Sequence, residues 1–152
     1  MKYALLFPVI ALAYTAITGC NDGEKKMYKV GGRVTMNGDT MPAEGVVYFM
    51  PVNSQGNRGV GAFGTDGRFR VTTWKPNDGL QPGSYNILVH CWKEKPIGFG
   101  KGVSFVNRKY HNQDSAVSGL ETVTISKATT DIAFDVSPPP QPETSLEQTT
   151  RK

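Results

Sequence analysis

The chain has 152 residues, enough for one domain, and 38% of them are hydrophobic and 20% charged, a balance typical of a globular protein. The formal net charge is only +4, so the composition does not favour nucleic-acid binding, and nucleic acid is not expected as a partner. Two cysteines in the whole chain exclude a disulfide-rich scaffold and a four-cysteine zinc site.

Residues 1–19 have the three parts of a secretory signal peptide. A basic start at Lys2 precedes an apolar run over residues 3–17, and two small residues follow the run. The run is shorter than the roughly 20 residues that span a bilayer, and it contains Pro8. A membrane anchor helix and a buried strand are the alternatives, but the pattern favours export.

The end of this segment, Ile17-Thr18-Gly19-Cys20, resembles the lipobox of bacterial lipoproteins. The resemblance implies that Cys20 is the lipid attachment site and becomes the new N-terminus after cleavage. Its acyl chains would hold the protein firmly, because each buried methylene contributes ~0.8 kcal/mol. The expected location is extracytoplasmic, lipid-anchored to a bacterial cell membrane, with inner or outer membrane left open. A soluble signal peptide with a chance cysteine is the alternative.

The rest of the chain divides into three parts. Residues 20–27 are polar and are interpreted as a lipid-attached tether, and residues 138–152 as a proline-rich disordered tail. Between them, residues 28–137 have the length of a single β-sandwich domain, for which ~100 residues is typical.

The domain is predicted to consist of short strands joined by turns. Turn signals such as Asn37-Gly38 and Asp66-Gly67 separate segments of alternating or continuous apolar residues. The predicted strands are residues 28–36, 46–50, 59–64, 68–74, 85–92, 121–126 and 131–136. Seven short strands without a long helical period indicate an all-β sandwich or small barrel.

Two of these strands carry specific expectations about burial. The continuous apolar run over residues 46–50 predicts a strand buried on both faces. The strict alternation over residues 85–92 places Cys91 on an inner face and His90 and Trp92 on the other. Cys91 is therefore expected to be buried and unreactive.

Residues 93–119 interrupt this pattern with a connection too long for a simple turn. The segment contains Phe99, Phe105 and Tyr110. We interpret it as a surface loop fixed by its aromatic side chains, in preference to a ligand-binding loop.

Several of these segments resemble carboxypeptidase regulatory-like domains. The similarity covers about residues 29–136 and depends on the order of four short motifs, while Tyr110, Ser118-Gly119-Leu120 and the closing strand over residues 131–136 are similar to small bacterial lipoproteins of this kind. The four motifs are Gly32-Arg33-Val34-Thr35 with Asn37-Gly38 and Pro42, Gly45-Val46-Val47-Tyr48-Phe49, Thr65-Asp66-Gly67-Arg68-Phe69, and Pro82-Gly83-Ser84-Tyr85-Asn86-Ile87.

The resemblance implies a seven-stranded Greek-key sandwich of the transthyretin-like or prealbumin-like type, with an Ig-like architecture, in a small bacterial lipoprotein. In carboxypeptidases such a domain is an accessory to a separate catalytic domain. The resemblance therefore implies no enzyme and no cofactor, and fold alone does not supply a function.

The residue patterns of catalysis and metal binding are incomplete in this chain. His90 and Cys91 are adjacent on a strand and point to opposite faces, while His111 lies in the long connection, so no metal site is expected. Residues 102–106 contain the first half of a Gly-x-Ser-x-Gly motif without its closing glycine. The Tyr-Arg-Gly-Ser terminus of the transthyretin-like hydroxyisourate hydrolases is also missing from this sequence.

A surface patch of cations and aromatic rings is the remaining candidate binding site. If residues 68–74 pair with residues 85–92, one face collects the side chains of Arg68, Arg70, Trp74, His90 and Trp92. Such a face could stack on sugars or hold a protein, although ordinary solvated surface or cover by a second layer would account for it equally.

Two functions are therefore considered. The first is a non-catalytic, lipid-anchored envelope β-sandwich acting in recognition or scaffolding, with an envelope protein or glycan as partner. The second is a small-molecule binder or hydrolase that uses the loop over residues 93–119. A cluster of two or more titratable side chains beneath this loop would favour the second.

Lipidation at Cys20 is directly testable. We expect the native protein to lack residues 1–19 and to carry acyl chains on Cys20, which intact mass spectrometry would show. Cys20→Ser should move the protein to the soluble extracytoplasmic fraction, because the chain would lose its lipid. A free thiol at Cys20 or a retained Met1 in the native protein would exclude this modification.

Overall fold

The structure is a computed structural model that describes residues 26–53, 56–98 and 102–140. The predicted signal peptide, Cys20, most of the tether and the tail from residue 141 lie outside the described residues. None of the described helices is long and apolar enough to cross a membrane.

The described chain is almost entirely strand, turn and loop, which confirms the all-β class. A four-residue 3-10 helix, Arg108–His111, and the short helix α1, Ser115–Ser118, are the helical segments of the described residues. The strands are β1 Val30–Met36, β2 Gly45–Pro51, β3 Gly59–Phe63, β4 Arg68–Arg70, β5 Gly83–His90, β6 Trp92–Glu94, β7 Val103–Ser104, β8 Val123–Ile125 and β9 Thr129–Val136.

Seven of these strands form one sheet in the order β8-β5-β2-β3-β4-β1-β9, and β6 pairs separately with β7. Neighbouring strands in the sheet are antiparallel except β1 and β9, which run parallel. Strand β5 lies beside β2 rather than β4, because the segment over residues 71–82 carries the chain back across β3 and β2.

The sheet curls until its two ends share a core. Phe49 on β2 lies with its ring centroid 6.0 Å from Phe69 on β4, 6.4 Å from Tyr85 on β5 and 6.1 Å from Phe134 on the edge strand β9. Phe69 and Phe134 are stacked at 6.1 Å. These distances are within the range of favourable aromatic pairs, which contribute about 0.5–1.5 kcal/mol each beyond area burial.

The inner side chains of the strands follow the predicted alternation. Tyr85, Ile87, Val89 and Cys91 are at most 1% exposed, as the alternation over residues 85–92 predicts. The Cys91 sulfur lies 3.6 Å from a backbone carbonyl oxygen of the segment before β2, so the predicted burial of this thiol is confirmed.

The predicted turn at Asn37-Gly38 is also confirmed. Asn37 and Gly38 both have positive φ, at 52° and 83°, as a two-residue hairpin turn of type I′ requires. The flanking residues Met36 and Asp39 exchange two backbone hydrogen bonds of 3.0 and 3.1 Å, so this turn ends β1.

Three strand predictions are wrong in detail. The predicted strand over residues 85–92 is divided at Cys91, with β5 ending before it and β6 beginning after it. Residues 46–50 are not buried on both faces: Val47 and Phe49 are fully buried, whereas Val46, Tyr48 and Met50 are half-buried. An apolar run cannot distinguish full burial from an outer face that is only partly covered. Residues 68–74 form a strand only as far as residue 70.

The connection over residues 93–119 is a structured excursion rather than an open loop. It contains β7, the 3-10 helix and α1. Val106 and Tyr110 are buried in the main core, and Phe105 packs against it. The expectation of a loop fixed by its aromatic side chains is therefore confirmed for Phe105 and Tyr110, whereas Phe99 lies outside the described residues.

Thiol labelling tests this packing. In a Cys20→Ser chain, Cys91 is the only thiol. It should react at least about a hundredfold more slowly in the folded protein than in denaturant, because opening of the core must precede reaction. Burial also raises the pKa of Cys91, which reduces the reactive thiolate. Equal rates in both conditions would contradict the register of β5.

Candidate functional site

The residues of the predicted patch do not form a single face. Strands β2 and β3 lie between β4 and β5, so the predicted pairing of the two segments is wrong. Arg68 and Arg70 lie on β4 and line a groove, whereas His90 and Trp92 remain together with ring centroids 5.7 Å apart. Alternation determines which way a side chain points but leaves the neighbouring strand undetermined.

Trp74, the fifth member of that patch, lies in a loop beyond β4 and is 53% exposed. The carboxylate of Asp78 accepts hydrogen bonds from the backbone N–H groups of Thr73, Trp74 and Lys75 at 2.7–2.9 Å. Burial acts to raise the pKa of Asp78, but these hydrogen bonds outweigh it and lower the pKa. The same bonds draw this backbone into a loop, which explains why the strand ends early.

Four half-buried rings meet on the outer side of β5, and we call Tyr48, His90, Trp92 and His111 the ring platform. The centroid of His90 lies 4.3 Å from His111 and 5.1 Å from Tyr48. The centroids of Trp92 and His111 are 4.8 Å apart. The guanidinium of Arg58 lies over the Tyr48 ring at 5.7 Å. The platform is thus a continuous group of aromatic rings with a cation at its edge.

Strand geometry positions three of these rings. His90 ends β5 and Trp92 begins β6, so both point to the outer side while the fully buried Cys91 between them points inward. The register of β2 and β5 pairs His90 with Val46. Tyr48, two residues further along β2, is therefore the diagonal neighbour of His90 on the same face.

The fourth ring is brought in by the long connection. Tyr110 is buried, and its hydroxyl accepts a hydrogen bond from the backbone N–H of Ser137 at 3.1 Å. Asn107 donates its backbone N–H to the Ser137 carbonyl at 2.9 Å and caps the 3-10 helix through its side chain. With Tyr110 held in the core, the adjacent His111 lies against the outer platform.

The platform is electrically neutral at its centre near neutral pH. Burial, followed by repulsion from His90 and Arg108, lowers the pKa of His111 from 6.5 to about 4. Burial also lowers the pKa of His90. The His90 Nε2 atom is buried and has no hydrogen-bond partner among the described residues. Both rings therefore present uncharged imidazole surfaces between the tyrosine and the tryptophan.

Ser104 lies close to the platform, but its hydroxyl is already hydrogen-bonded to the backbone. Its hydroxyl donates to the Cys91 carbonyl at 3.1 Å and accepts from the Val106 N–H at 3.1 Å. The Ser104 Oγ and His111 Nε2 atoms are 3.4 Å apart, beyond the roughly 2.6–3.2 Å of a nucleophile and its base. No carboxylate of the described residues hydrogen-bonds to His111. Ser104 thus connects β7 to the sheet.

The sequence did not reveal the pairing of His90 with His111. The sequence places His111 only within the long connection, and no motif spacing joins it to β5. The available signal was the shared outer face of His90 and Trp92 and the need to bury Tyr110. Neither feature determines where the connection returns to the sheet, which is a tertiary contact.

The described ranges, with their gaps, contain no group of three or more His, Cys, Asp or Glu side chains arranged for a metal ion. The chain matches no protein-family model, no curated protein and no solved structure. Function is therefore inferred from the side chains themselves, and the ring platform is the candidate site.

The depressed histidine pKa values predict a dependence of stability on pH. Below the unfolded pKa of 6.5, these two histidines bind more protons in the unfolded chain than in the folded one. The stability that depends on their neutral forms is therefore fully present above that pH. It should be lost as the pH falls from 6.5 toward 4. His111→Gln should reduce this loss, because it removes one neutral buried imidazole while keeping every carboxylate. Urea unfolding across this range gives the slope, and identical slopes for both proteins would contradict the prediction.

Proposed function

We propose that this protein is a non-catalytic, lipid-anchored β-sandwich of a bacterial cell envelope that acts in recognition. The signal-peptide pattern over residues 1–19 and the lipobox-like Ile17-Thr18-Gly19-Cys20 support the anchoring and the extracytoplasmic location. Both lie outside the described residues, and the Cys20→Ser experiment tests them. The tether over residues 20–27 would then leave the folded domain free to meet other envelope components.

The topology supports the finer assignment to a Greek-key, transthyretin-like sandwich. Strands β2, β3 and β4 follow one another in antiparallel pairs. The segment over residues 71–82 then returns the chain so that β5 lies beside β2. The spatial order β5-β2-β3-β4 is the order of a Greek key. The order is also compatible with the resemblance to carboxypeptidase regulatory-like domains, in which such a module accompanies other components rather than catalysing a reaction.

The ring platform is the single observation that carries the recognition role. Its four rings come from β2, β5, β6 and the long connection, and they are held before any ligand arrives by backbone pairing and by the buried Tyr110. A preformed site avoids the entropic cost of ordering side chains on binding. Half-buried aromatic residues of this kind commonly dominate the energy of recognition surfaces.

The chemistry of the platform favours a glycan with uncharged sugar rings. Flat tyrosine, tryptophan and neutral imidazole surfaces pack against the apolar faces of sugars. The depressed pKa values of His90 and His111 keep the centre neutral, so an anionic group finds no full positive charge there. Arg58, which lies over the Tyr48 ring at the edge, supplies hydrogen-bond donors for sugar hydroxyls.

Comparison of the two tryptophans tests this proposal. Trp92→Ala should weaken binding to neutral envelope oligosaccharides by about tenfold or more, because it removes the largest ring of the platform. Trp74→Ala is the matched control, since Trp74 is exposed on a separate loop and should bind like wild type. Titration calorimetry measures both. Equal affinities of the two variants for the oligosaccharides would exclude the platform as the binding site. If the wild-type protein binds an envelope protein but none of the oligosaccharides, the ligand is a protein.

The proximity of Ser104 and His111 keeps the hydrolase alternative testable. Two titratable rings do meet where the connection over residues 93–119 returns to the sheet, His90 on β5 and His111 within the connection itself, and such a cluster favours a hydrolase or small-molecule binder. The hydroxyl of Ser104 is engaged with Cys91, however, and its distance to His111 is long. Release of product from a short-chain ester should therefore be the same for wild type and Ser104→Ala. Loss of hydrolysis in Ser104→Ala, with the fold intact, would establish the hydrolase instead.

A further inference from the structure

A basic groove crosses the outer face of β1, β3 and β4, away from the ring platform in the strand order of the sheet. Lys29, Arg68 and Arg70 are exposed at its rim, and Gly31, Val60 and Ala62 are among the residues that line it. Its volume is about 1100 Å³, slightly above the ~300–1,000 Å³ that is usual for ligand sites.

The groove exists because small residues face outward between long cationic side chains. Ala62 is exposed on β3, and its short side chain leaves space above the outer surface of that strand. A side chain at Gly31 is excluded, because a Cβ atom there would lie 2.8 Å from the Phe69 carbonyl oxygen. Arg70 is the cross-strand partner of Gly31, so its side chain stands beside a position without one. The groove is therefore a consequence of how β1 and β4 pack in the sheet.

The positive charges of this face are concentrated at some energetic cost. Arg33 and Arg68 are direct cross-strand partners in β1 and β4 and both are exposed, and like charges opposite each other destabilise a sheet. Arg33 directs its Nε–H to the Asp66 carbonyl oxygen at 2.9 Å. Lys29 donates to the Asn77 carbonyl oxygen at 2.6 Å, which leaves two of its three donors for another partner.

Carboxylates do not neutralise the groove from within. Among the described residues, none of those that line it is an Asp or Glu. Asp66 is near in sequence, but its carboxylate accepts the backbone N–H of Arg68 at 3.1 Å. Asp135 on β9 is bound to Thr35 and Gly38. Asp131, also on β9, is exposed and does not line the groove.

We infer that the basic groove binds an extended polyanion, a linear polymer that carries repeated phosphate or carboxylate groups. Arg68 and Arg70 are two residues apart on one strand and therefore about 7 Å apart along it. Cations at such intervals in a trough of this size suit a chain with repeated charges better than a single small ion. Arginine is also the side chain best suited to hold phosphate or carboxylate through paired hydrogen bonds.

A soluble polymer fits the groove better than the surface of an anionic membrane. The site is concave, and a flat bilayer would meet the rim but leave the floor empty. Interfacial binding also uses apolar side chains that enter the lipid. The exposed large apolar residues of the described chain do not line the groove; they are Val52, Trp74, Ile97, Val103 and Val117.

Paired variants of the full chain with equal net charge provide the test. The double variant Arg68→Gln, Arg70→Gln removes two charges from the groove. The control, Lys93→Gln with Lys95→Gln, removes two exposed charges in and just after β6, which lies outside the main sheet. Short-chain inorganic polyphosphate is the probe, and neutral dextran serves as the uncharged polymer.

The groove variant should bind polyphosphate at least about tenfold more weakly than wild type, while the control stays within about twofold. Ala62→Glu should also weaken binding, because it places a negative charge in the groove without removing a cation. Equal loss in both double variants would reduce the effect to net charge and overturn the inference, as would wild-type binding by the groove variant.

Two further measurements distinguish binding in the groove from binding to a membrane surface or to the ring platform. Vesicles of phosphatidylglycerol should compete poorly with polyphosphate, and preferential binding to the vesicles would replace the polymer with a membrane surface. Trp92→Ala should bind polyphosphate like wild type, because the ring platform is a different site. This result distinguishes failure of the groove from failure of the proposed glycan site.

Discussion

Phe49 occupies the position on which the rest of the fold depends. Its ring contacts Phe69, Tyr85 and Phe134, and these residues belong to strands from the middle and from one edge of the sheet. A flat sheet could not bring β2 and β9 together, because four strand positions separate them in the sheet order. Burial of these rings, worth about 1.5–3 kcal/mol for each large side chain, therefore stabilises the curled sheet.

The same curvature determines what the outer surfaces can do. Since the inner faces of the strands are filled by Val, Ile, Phe and Tyr side chains, the chemistry-bearing residues are left on the outside. On β5 and β2 these are His90 and Tyr48, and the long connection partly covers them by burying Tyr110. On this face of the two strands Leu88 is buried, whereas His90 and Tyr48 are half-buried.

The two proposed sites differ in electrostatics for a structural reason. At the ring platform, burial by the connection depresses the pKa values of both histidines, so the centre carries no charge near neutral pH. No comparable segment of the described chain covers β4, where Arg68 and Arg70 remain exposed and charged. One sheet thus presents a neutral aromatic surface and a basic groove on separate groups of strands, and the two surfaces suit ligands of different chemistry.

The sequence by itself determined the local features of this protein. Alternation predicted the inner positions of Tyr85, Ile87, Val89 and Cys91, and the Asn37-Gly38 dipeptide predicted its turn, because both depend on neighbours along the chain. The succession of short strand patterns without a helical period also indicated the all-β class. Only the tertiary structure decided which strands are neighbours: it separated Arg68 and Arg70 from His90 and Trp92 and brought His111 to His90. Pairing between distant segments is decided by burial of the whole core, and local periodicity contains no record of that choice.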